Sequence, residues 1–301
     1  MQIIYQKSAY FCISKSDYEM NYKTLYVTDL DGTLLTSNST VSCQSSNIIN
    51  ELAEMGAMLT IATARTPATV ANLLEGVRLM LPAIVMTGAA RYNLEKGNYE
   101  NVRYIEPQVV ETSLRMFEDS GINPFVYTLR DSHIIHAFHH AEMSDAESIF
   151  YDIRRDMNLK QFHIGERPRD ADNQRTVLIF SVGPTNIFEP LAARMAEAIG
   201  YNVACYKDIF NEHTSYIEVF AQGVDKSHAV GELAKDYGAS RIVAFGDNFN
   251  DISMMKYADV GIAVANAYEE VRLSADIVIG SNNEDAVMRW IYKDFTGNEW
   301  R

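Results

Sequence analysis

Three polar residues of this sequence each follow a short apolar run, a position from which a side chain can take part in chemistry. They are Asp29, Thr63 and Asp247. In an open parallel sheet, ligands bind beyond the carboxyl ends of the strands, because loop amides and helix N-termini converge there. If the three runs are strands of one sheet, these side chains lie at the same edge and can share a ligand.

Two acidic segments and one lysine extend this set. Residues 29–33 read Asp-Leu-Asp-Gly-Thr, residues 246–251 read Gly-Asp-Asn-Phe-Asn-Asp, and Lys226 stands between them in the chain. Phosphoryl transfer requires an in-line nucleophile, cations that compensate the charge on the transferred oxygens, and help for the leaving group. Carboxylates, a lysine and a hard cation such as Mg²⁺, which takes oxygen ligands, are groups that meet these needs.

Each segment taken alone also has an explanation that involves no chemistry. Asp-Gly and Gly-Asp-Asn are common in turns, Thr63 suits a helix N-cap, and Lys226 suits a solvated helix position. Their joint occurrence, in this order and each at the end of an element, favours the functional interpretation.

In order and context, these segments resemble the four motifs of the haloacid dehalogenase superfamily, and they are most similar to its Cof-type branch, subclass IIB. The resemblance extends from about Thr24 to the C-terminal region and includes an insertion of suitable length between the second and third motifs. It implies a Mg²⁺-dependent phosphatase that hydrolyses a small phosphorylated metabolite, such as a sugar phosphate, through a phospho-aspartate.

The resemblance implies a role for each matching residue. Asp29 is the nucleophile, and Asp31 is the general acid for the leaving group and then the base for water. The Mg²⁺ ligands are a carboxylate oxygen of Asp29, the backbone carbonyl of Asp31 and the side chain of Asp247, with Asp251 close by. Gly32 permits the tight exit of the chain between the two motif aspartates.

A further group is expected to contact the substrate phosphate: Gly32, Thr63, Arg65, Lys226 and Asn250. Lys226 would also hold Asp29 ionised. For Arg65 the alternative of an exposed loop arginine without a ligand role stays open. One departure from the branch is visible, because Thr87-Gly88-Ala89 stands where Asn-Gly-Ala is frequent, so contacts near the substrate or the hinge are expected to differ.

The elements that position these residues alternate strand and helix, which predicts an α/β fold with a parallel sheet. The resemblance implies a Rossmann-like three-layer α/β/α core with an inserted α+β cap of type IIB. The predicted division is an N-terminal extension (1–19), a core (20–91 and 209–301) and a cap (92–208). The extension is predicted to be loose, and it does not read as a secretory signal.

Within the cap, strand patterns cover Phe125 to Phe138 in two pieces and Thr176 to Val182, and helical spacing covers 109–117 and 187–199. The core pattern is predicted to resume with Ile217 to Phe220. The histidine-rich segment 133–140 invites a metal hypothesis, but strand alternation points its histidines to opposite faces. A cap strand is therefore favoured over a zinc site.

Composition excludes several classes of protein. A net charge of −14 opposes binding to nucleic acid. No apolar run approaches the roughly 18 residues of a membrane span. Three widely separated cysteines predict no disulfide framework, which favours the cytoplasm. We expect a monomer or homodimer whose partner is a small phosphorylated metabolite.

Two other functions are compatible with the same motifs. A phosphomutase or phosphotransferase would pass the phosphoryl group to a sugar instead of water. A non-catalytic sensor would bind a phosphorylated metabolite without turnover, although the complete set of acidic and basic motif residues argues against it.

Overall fold

The run Thr-Leu-Tyr-Val-Thr after Lys23 forms a strand that is buried on both faces, as its β-branched and aromatic composition predicts. The computed structural model describes residues 23–169, 174–200, 203–208, 211 and 213–300. The predicted extension 1–19 lies outside these residues.

The strands are numbered in chain order. They are β1 (Thr24–Thr28), β2 (Met58–Ile61), β3 (Ala83–Val85), β4 (Ala90–Asn93), β5 (Asn98–Glu100), β6 (Phe125–Leu129), β7 (Ile135–His139), β8 (Lys160–Ile164), β9 (Thr176–Pro184), β10 (Val203–Lys207), β11 (Thr214–Val219), β12 (Arg241–Gly246), β13 (Val260–Val264) and β14 (Ile277–Ile279). The α-helices are α1 (Cys43–Glu54), α2 (Pro67–Leu73), α3 (Pro107–Glu118), α4 (Asp145–Arg154), α5 (Thr185–Ile199), α6 (Lys226–Tyr237), α7 (Ile252–Tyr257), α8 (Glu269–Ser274) and α9 (Ala286–Thr296).

Five strands form a parallel sheet in the order β14-β13-β12-β1-β2. Successive side chains of β1 alternate between the two faces of this sheet. Leu25 lies in one apolar cluster with Leu233 of α6. Tyr26 lies in the other cluster, with Ile49 of α1 and Ile291 of α9. Helices thus cover both faces, and the predicted three-layer α/β/α core is confirmed.

The second sheet has the order β10-β11-β9-β6-β7-β8 and is antiparallel except for the pair β7 and β8. Helix α4 packs on one face, where Phe150 contacts Phe125 and Phe180. Helix α5 covers the opposite face, where the Phe188 ring lies so close to Gly183 that a Cβ there would be 2.7 Å from it. This sheet and its helices form the α+β cap.

The strand predicted over Ile217 to Phe220 does not resume the parallel sheet, and this prediction was wrong. Strand β11 pairs antiparallel with β9 and β10 in the cap. A short apolar run reads the same in both sheets, because β9 and the end of β11 are also buried on both faces. The division at 92 and 208 stays a prediction, and we propose that the insertion ends after Val219.

A third, small sheet joins the two parts of the fold. Its order is β3-β4-β5, and Ala62 after β2 forms a parallel bridge with Ile84 of β3. The loop after β3 places Thr87 at φ +58°, a left-handed conformation that asparagine adopts more readily than a β-branched residue. Gly88 packs so tightly on helix α6 that a Cβ would lie 2.6 Å from the carbonyl oxygen of Asp225.

Candidate active site

The parallel sheet brings three acidic side chains together at its carboxyl edge. Asp29 follows β1, and Asp247 follows the neighbouring strand β12. Asp251 lies at the end of the turn that leads into α7. One carboxylate oxygen of each residue lies within 4.8 Å of the other two. Residues 222 positions apart in sequence thus form one cluster. The strand-end argument placed Asp29 and Asp247 at this edge, whereas Asp251 reaches it through the turn before α7.

Lys226 lies beneath this cluster as the first residue of α6. Asp225 is the N-cap of the helix, and its side chain accepts a hydrogen bond from the backbone N–H of His228. The Lys226 Nζ donates to Asp29 Oδ1 and to Asp251 Oδ1, at 2.6 Å each. The ammonium is completely buried. It therefore fixes two carboxylates relative to each other.

Burial and mutual charge determine how these groups ionise. Burial raises the pKa of Asp29 well above its ordinary value, and the Lys226 ammonium only partly opposes this. Burial alone would lower the pKa of Lys226, but Asp251 and Asp29 outweigh it, so this pKa lies above its ordinary value. Burial also raises the pKa of Asp247 to about 6. One cation is thus too little to compensate three adjacent acids, of which Asp29 and Asp251 are buried and Asp247 is partly buried.

These acids fit a divalent metal ion. A buried surplus of negative charge is costly unless further positive charge or hydrogen bonds compensate it. The donor set consists of carboxylate oxygens, which hard cations such as Mg²⁺ prefer. Asp29 and Asp247 have oxygens to offer, whereas Asp251 uses Oδ2 to accept the backbone N–H groups of Asp247 and Asn248. Asp251 therefore also holds the loop in place.

The turn at Gly32 forms a close cradle around Asp247. Gly32 has φ +76°, and a Cβ on it would lie 2.3 Å from Asp247 Oδ2. The Thr33 hydroxyl donates to Asp247 Oδ1 at 2.6 Å. Only glycine leaves room for this carboxylate. The Thr33 contact was not predicted, although Thr33 belongs to the motif on which the prediction depended.

Asp31 does not join the buried cluster, and its side chain is about half exposed. Its two carboxylate oxygens accept hydrogen bonds from Nε and Nη2 of Arg65, both at 2.6 Å. This bidentate ion pair raises the pKa of Arg65. Arg65 thus contacts a motif aspartate, an arrangement that neither sequence-based alternative for Arg65 included.

The remaining predicted residues differ in their surroundings. Thr63 is buried, and its hydroxyl accepts the backbone N–H of Arg65 at 3.2 Å. Asn250 is exposed, and among the described residues it has no side-chain hydrogen bond. Asn266, which was not predicted, follows β13 and donates to the Gly32 carbonyl at 2.7 Å. The strand-end rule that found Asp29 would also have found Asn266.

A cavity of about 250 Å³ separates this edge of the core from the cap sheet. Its core wall includes Asp31 and Arg65, and its cap wall carries the charged residues Arg154, Lys160 and Glu218. Aromatic side chains complete the cap wall: Tyr127, Phe150, Phe180, Tyr206 and Tyr216. The cap thus presents a charged and aromatic surface to the exposed Asp31.

Two of the charged cap residues have shifted ionisation. Burial, together with repulsion by Arg154, lowers the pKa of Lys160 to about 7. Burial raises the pKa of Glu218 to about 7, and a hydrogen bond from Tyr206 opposes this. Lys160 is 6% exposed, and its Nζ lies 3.2 Å from the Tyr127 hydroxyl.

Replacing this lysine is expected to stabilise the protein near neutral pH. Between pH 7 and the ordinary lysine pKa of about 10.4, the unfolded chain holds the extra proton, so wild-type stability rises with pH. Lys160→Met lacks this rise. We therefore compare the free energy of unfolding of Lys160→Met with that of wild type at each pH, by denaturant unfolding. The variant's value minus the wild-type value should be about 3 kcal/mol larger at pH 7 than at pH 10. An equal difference at both pH values would contradict the burial of a titrating amine.

The histidine-rich segment forms strand β7, as predicted. His136 Nδ1 lies 2.9 Å from His163 Nε2, whereas His139 is buried near Glu147. Among the described residues, one cluster of acidic, histidine or cysteine side chains is close enough to hold a metal ion, and it is the cluster of Asp29, Asp247 and Asp251.

Within the described part of the chain, no helix has the length and apolar character needed to cross a bilayer.

Comparisons with known proteins agree with this geometry. The sequence profile of the haloacid dehalogenase-like hydrolases matches residues 26–291. The pyridoxal phosphate phosphatase of Escherichia coli is 25% identical over 284 residues, which cover 88% of this chain and 96% of the relative.

Two solved structures share the fold. A haloacid dehalogenase-like hydrolase from Bacteroides thetaiotaomicron has a TM-score of 0.73 at 22% identity, covering 90% of this chain and 99% of its own. A subclass IIB sugar phosphatase of the same superfamily has a TM-score of 0.67 at 21% identity, covering 90% and 98%. The chain therefore belongs to the haloacid dehalogenase-like hydrolases, as a Cof-type member.

Proposed function

We propose that this hydrolase is a Mg²⁺-dependent phosphatase that cleaves a small phosphorylated metabolite through a phospho-aspartate on Asp29. The observation that carries the proposal is the buried cluster in which Lys226 bonds to Asp29 and Asp251, beside Asp247. A carboxylate held by a buried ammonium at the carboxyl edge of a parallel sheet is placed to attack a bound phosphate. One relative is named a pyridoxal phosphate phosphatase and another a sugar phosphatase, and these names support a small phosphomonoester as the substrate.

Each side chain has a definite task in this proposal. Asp29 and Asp247 would hold the metal ion together with the Asp31 backbone carbonyl, and Asp251 would position their loop. When bound, Mg²⁺ would reduce the repulsion between the acids and the phosphate oxygens. Lys226, together with the metal ion, would favour the ionised form of Asp29, and Lys226 would also contact phosphate. Thr63 would donate its free hydroxyl hydrogen to phosphate.

Asp31 is the group that would handle the proton. It would protonate the leaving oxygen and then take a proton from the water that attacks the phospho-aspartate. Its pair with Arg65 occupies both carboxylate oxygens, so the pair must loosen for Asp31 to carry a proton. Arg65 would in this way position Asp31 in addition to its predicted contact with phosphate.

The test is phosphate release from a panel of phosphomonoesters, with and without Mg²⁺. We expect turnover that falls by roughly 10³-fold or more in excess EDTA, because the acids then repel the substrate. Added Mg²⁺ should restore it. Turnover without any acceptor sugar would argue against a phosphotransferase, and binding without turnover would favour a sensor. Metal-independent release by pure protein would overturn the proposal.

A further inference from the structure

Two cations of the cap wall lack an anionic partner. Among the described residues, neither Lys160 nor Arg154 forms an ion pair with a carboxylate. The Lys160 Nζ has the Tyr127 hydroxyl at 3.2 Å and the Tyr127 ring centroid at 4.6 Å. Arg154 donates Nη1 to the Phe150 carbonyl at 3.2 Å, and its guanidinium lies 4.1 Å from the Phe150 ring centroid. Both contacts leave most of the N–H donors of these groups free for a ligand.

Both cations lie over the Phe150 ring, with the Arg154 guanidinium 4.1 Å and the Lys160 Nζ 6.0 Å from its centroid, so that their charges repel each other. Burial, and after it repulsion by Arg154, lowers the pKa of Lys160, and burial lowers that of Arg154, with repulsion from Arg65 adding to it. Arg154 and the core residue Arg65 line the same cavity. A buried ammonium beside a second cation gains stability when an anion binds between them.

The cavity between cap and core carries more positive than negative side chains, although the chain as a whole is negative. The chain carries −14, yet the charged side chains of the cavity are three cations and two carboxyl groups. Asp31 is neutralised by Arg65. Glu218 lies on β11, which three strands of the cap sheet separate from Lys160 on β8.

We propose that the leaving group of the substrate carries a second acidic group, a carboxylate or a further phosphate, which Lys160 and Arg154 bind in the cap. This inference rests on the proposed phosphatase function, because it concerns the part of the substrate that remains after transfer. The rings of Phe150 and Tyr127, each with one of the two cations over it, also line this cavity, so the body that joins the two acidic groups would meet aromatic carbon there.

Matched aromatic esters test the proposal directly. We would measure kcat/KM for phenyl phosphate, for carboxyphenyl phosphate with the carboxylate at the meta or para position, and for phenylene bisphosphate. Wild type should prefer at least one doubly acidic ester by about 10-fold or more, since hydrogen bonds to charged groups discriminate by this amount. A preference shown by the bisphosphate alone would assign the site to phosphate, and one shown by the carboxylate alone would assign it to carboxylate.

Variants of the two cations should reduce this preference. In Lys160→Met and in Arg154→Gln, the ratio of kcat/KM between the doubly acidic ester and phenyl phosphate should fall toward one. Arg155→Gln is the matched control, because it removes a charge from the end of the same helix, where the side chain is 52% exposed and faces Asp152. The control should keep the wild-type ratio. Because Arg154 is only half buried, its variant tests the site independently of the effect of Lys160→Met on stability.

The outcomes separate this inference from the proposed function. If no ester is hydrolysed in a manner that depends on Asp29, the phosphatase proposal itself fails. If the esters are hydrolysed but wild type shows no preference, the second-anion inference is wrong while the phosphatase proposal stands. A preference that survives in both Lys160→Met and Arg154→Gln would refute the assignment to these residues.

Discussion

Asp29→Asn is expected to abolish phosphate release from every ester that the wild type hydrolyses, by roughly 10⁴-fold or more. The amide has nearly the shape of the carboxylate, but it cannot form the acyl-phosphate. It also leaves Lys226 with Asp251 as its remaining charged partner. Fold disruption should be small, because the amide oxygen can still accept the hydrogen bond from Lys226.

Acid quenching during turnover of a radiolabelled ester measures the intermediate separately from the rate. Wild type should retain protein-bound phosphate, and Asp29→Asn should retain none. The control is Asp156→Asn, whose side chain is 93% exposed and which should behave like wild type. Asp31→Asn should slow both transfer and hydrolysis without removing the nucleophile. Equal phosphate release by wild type and Asp29→Asn would refute the assignment of the nucleophile.

Lys226→Met is expected to affect both activity and stability strongly. The substitution leaves Asp29 and Asp251 buried without their shared cation, and breaking a buried ion pair in this way costs about 3–5 kcal/mol. Phosphate release should fall by about 10³-fold, because a charged donor to the transferred group is lost. Denaturant unfolding in EDTA measures the stability, since a bound metal ion would mask part of the loss.

A second substitution identifies the origin of that loss. Adding Asp251→Asn to Lys226→Met removes one unpaired charge, so the double variant should be more stable than Lys226→Met alone. It should remain inactive. Lys293→Met serves as the control, because that side chain is 60% exposed and pairs with Glu299 at the surface. A Lys226→Met protein as stable as this control would contradict a buried charge network.

Much of the core and its site could be predicted because local patterns determine them. Strand β1 ends directly before Asp29, and parallel strands deliver their carboxyl ends to one edge. Burial of the strands on both faces gives short apolar runs that are easy to identify. The positions of Asp29, Asp247 and Lys226 relative to one another follow from this topology and from the start of α6.

The cap site could not be predicted, because it depends on pairing between strands far apart in sequence. Lys160 and Glu218 share a cavity only through the order of the six-stranded sheet, which their local sequences do not encode. The same ambiguity produced the error at β11. The Asp31–Arg65 pair depends on the conformation of two loops, and the pattern of apolar residues carries no information on it.

The two buried lysines are also expected to differ as targets of amine-directed reagents. Lys226 is locked between two acids with a raised pKa, so its nitrogen lone pair stays occupied by a proton. Lys160 has a pKa of about 7 and lines a cavity, so a large share of its amine is nucleophilic at neutral pH. A small acylating reagent that fits between cap and core would therefore acylate Lys160 and leave Lys226 unmodified. Lys160 is thus a site at which a covalent probe can be attached to the cap.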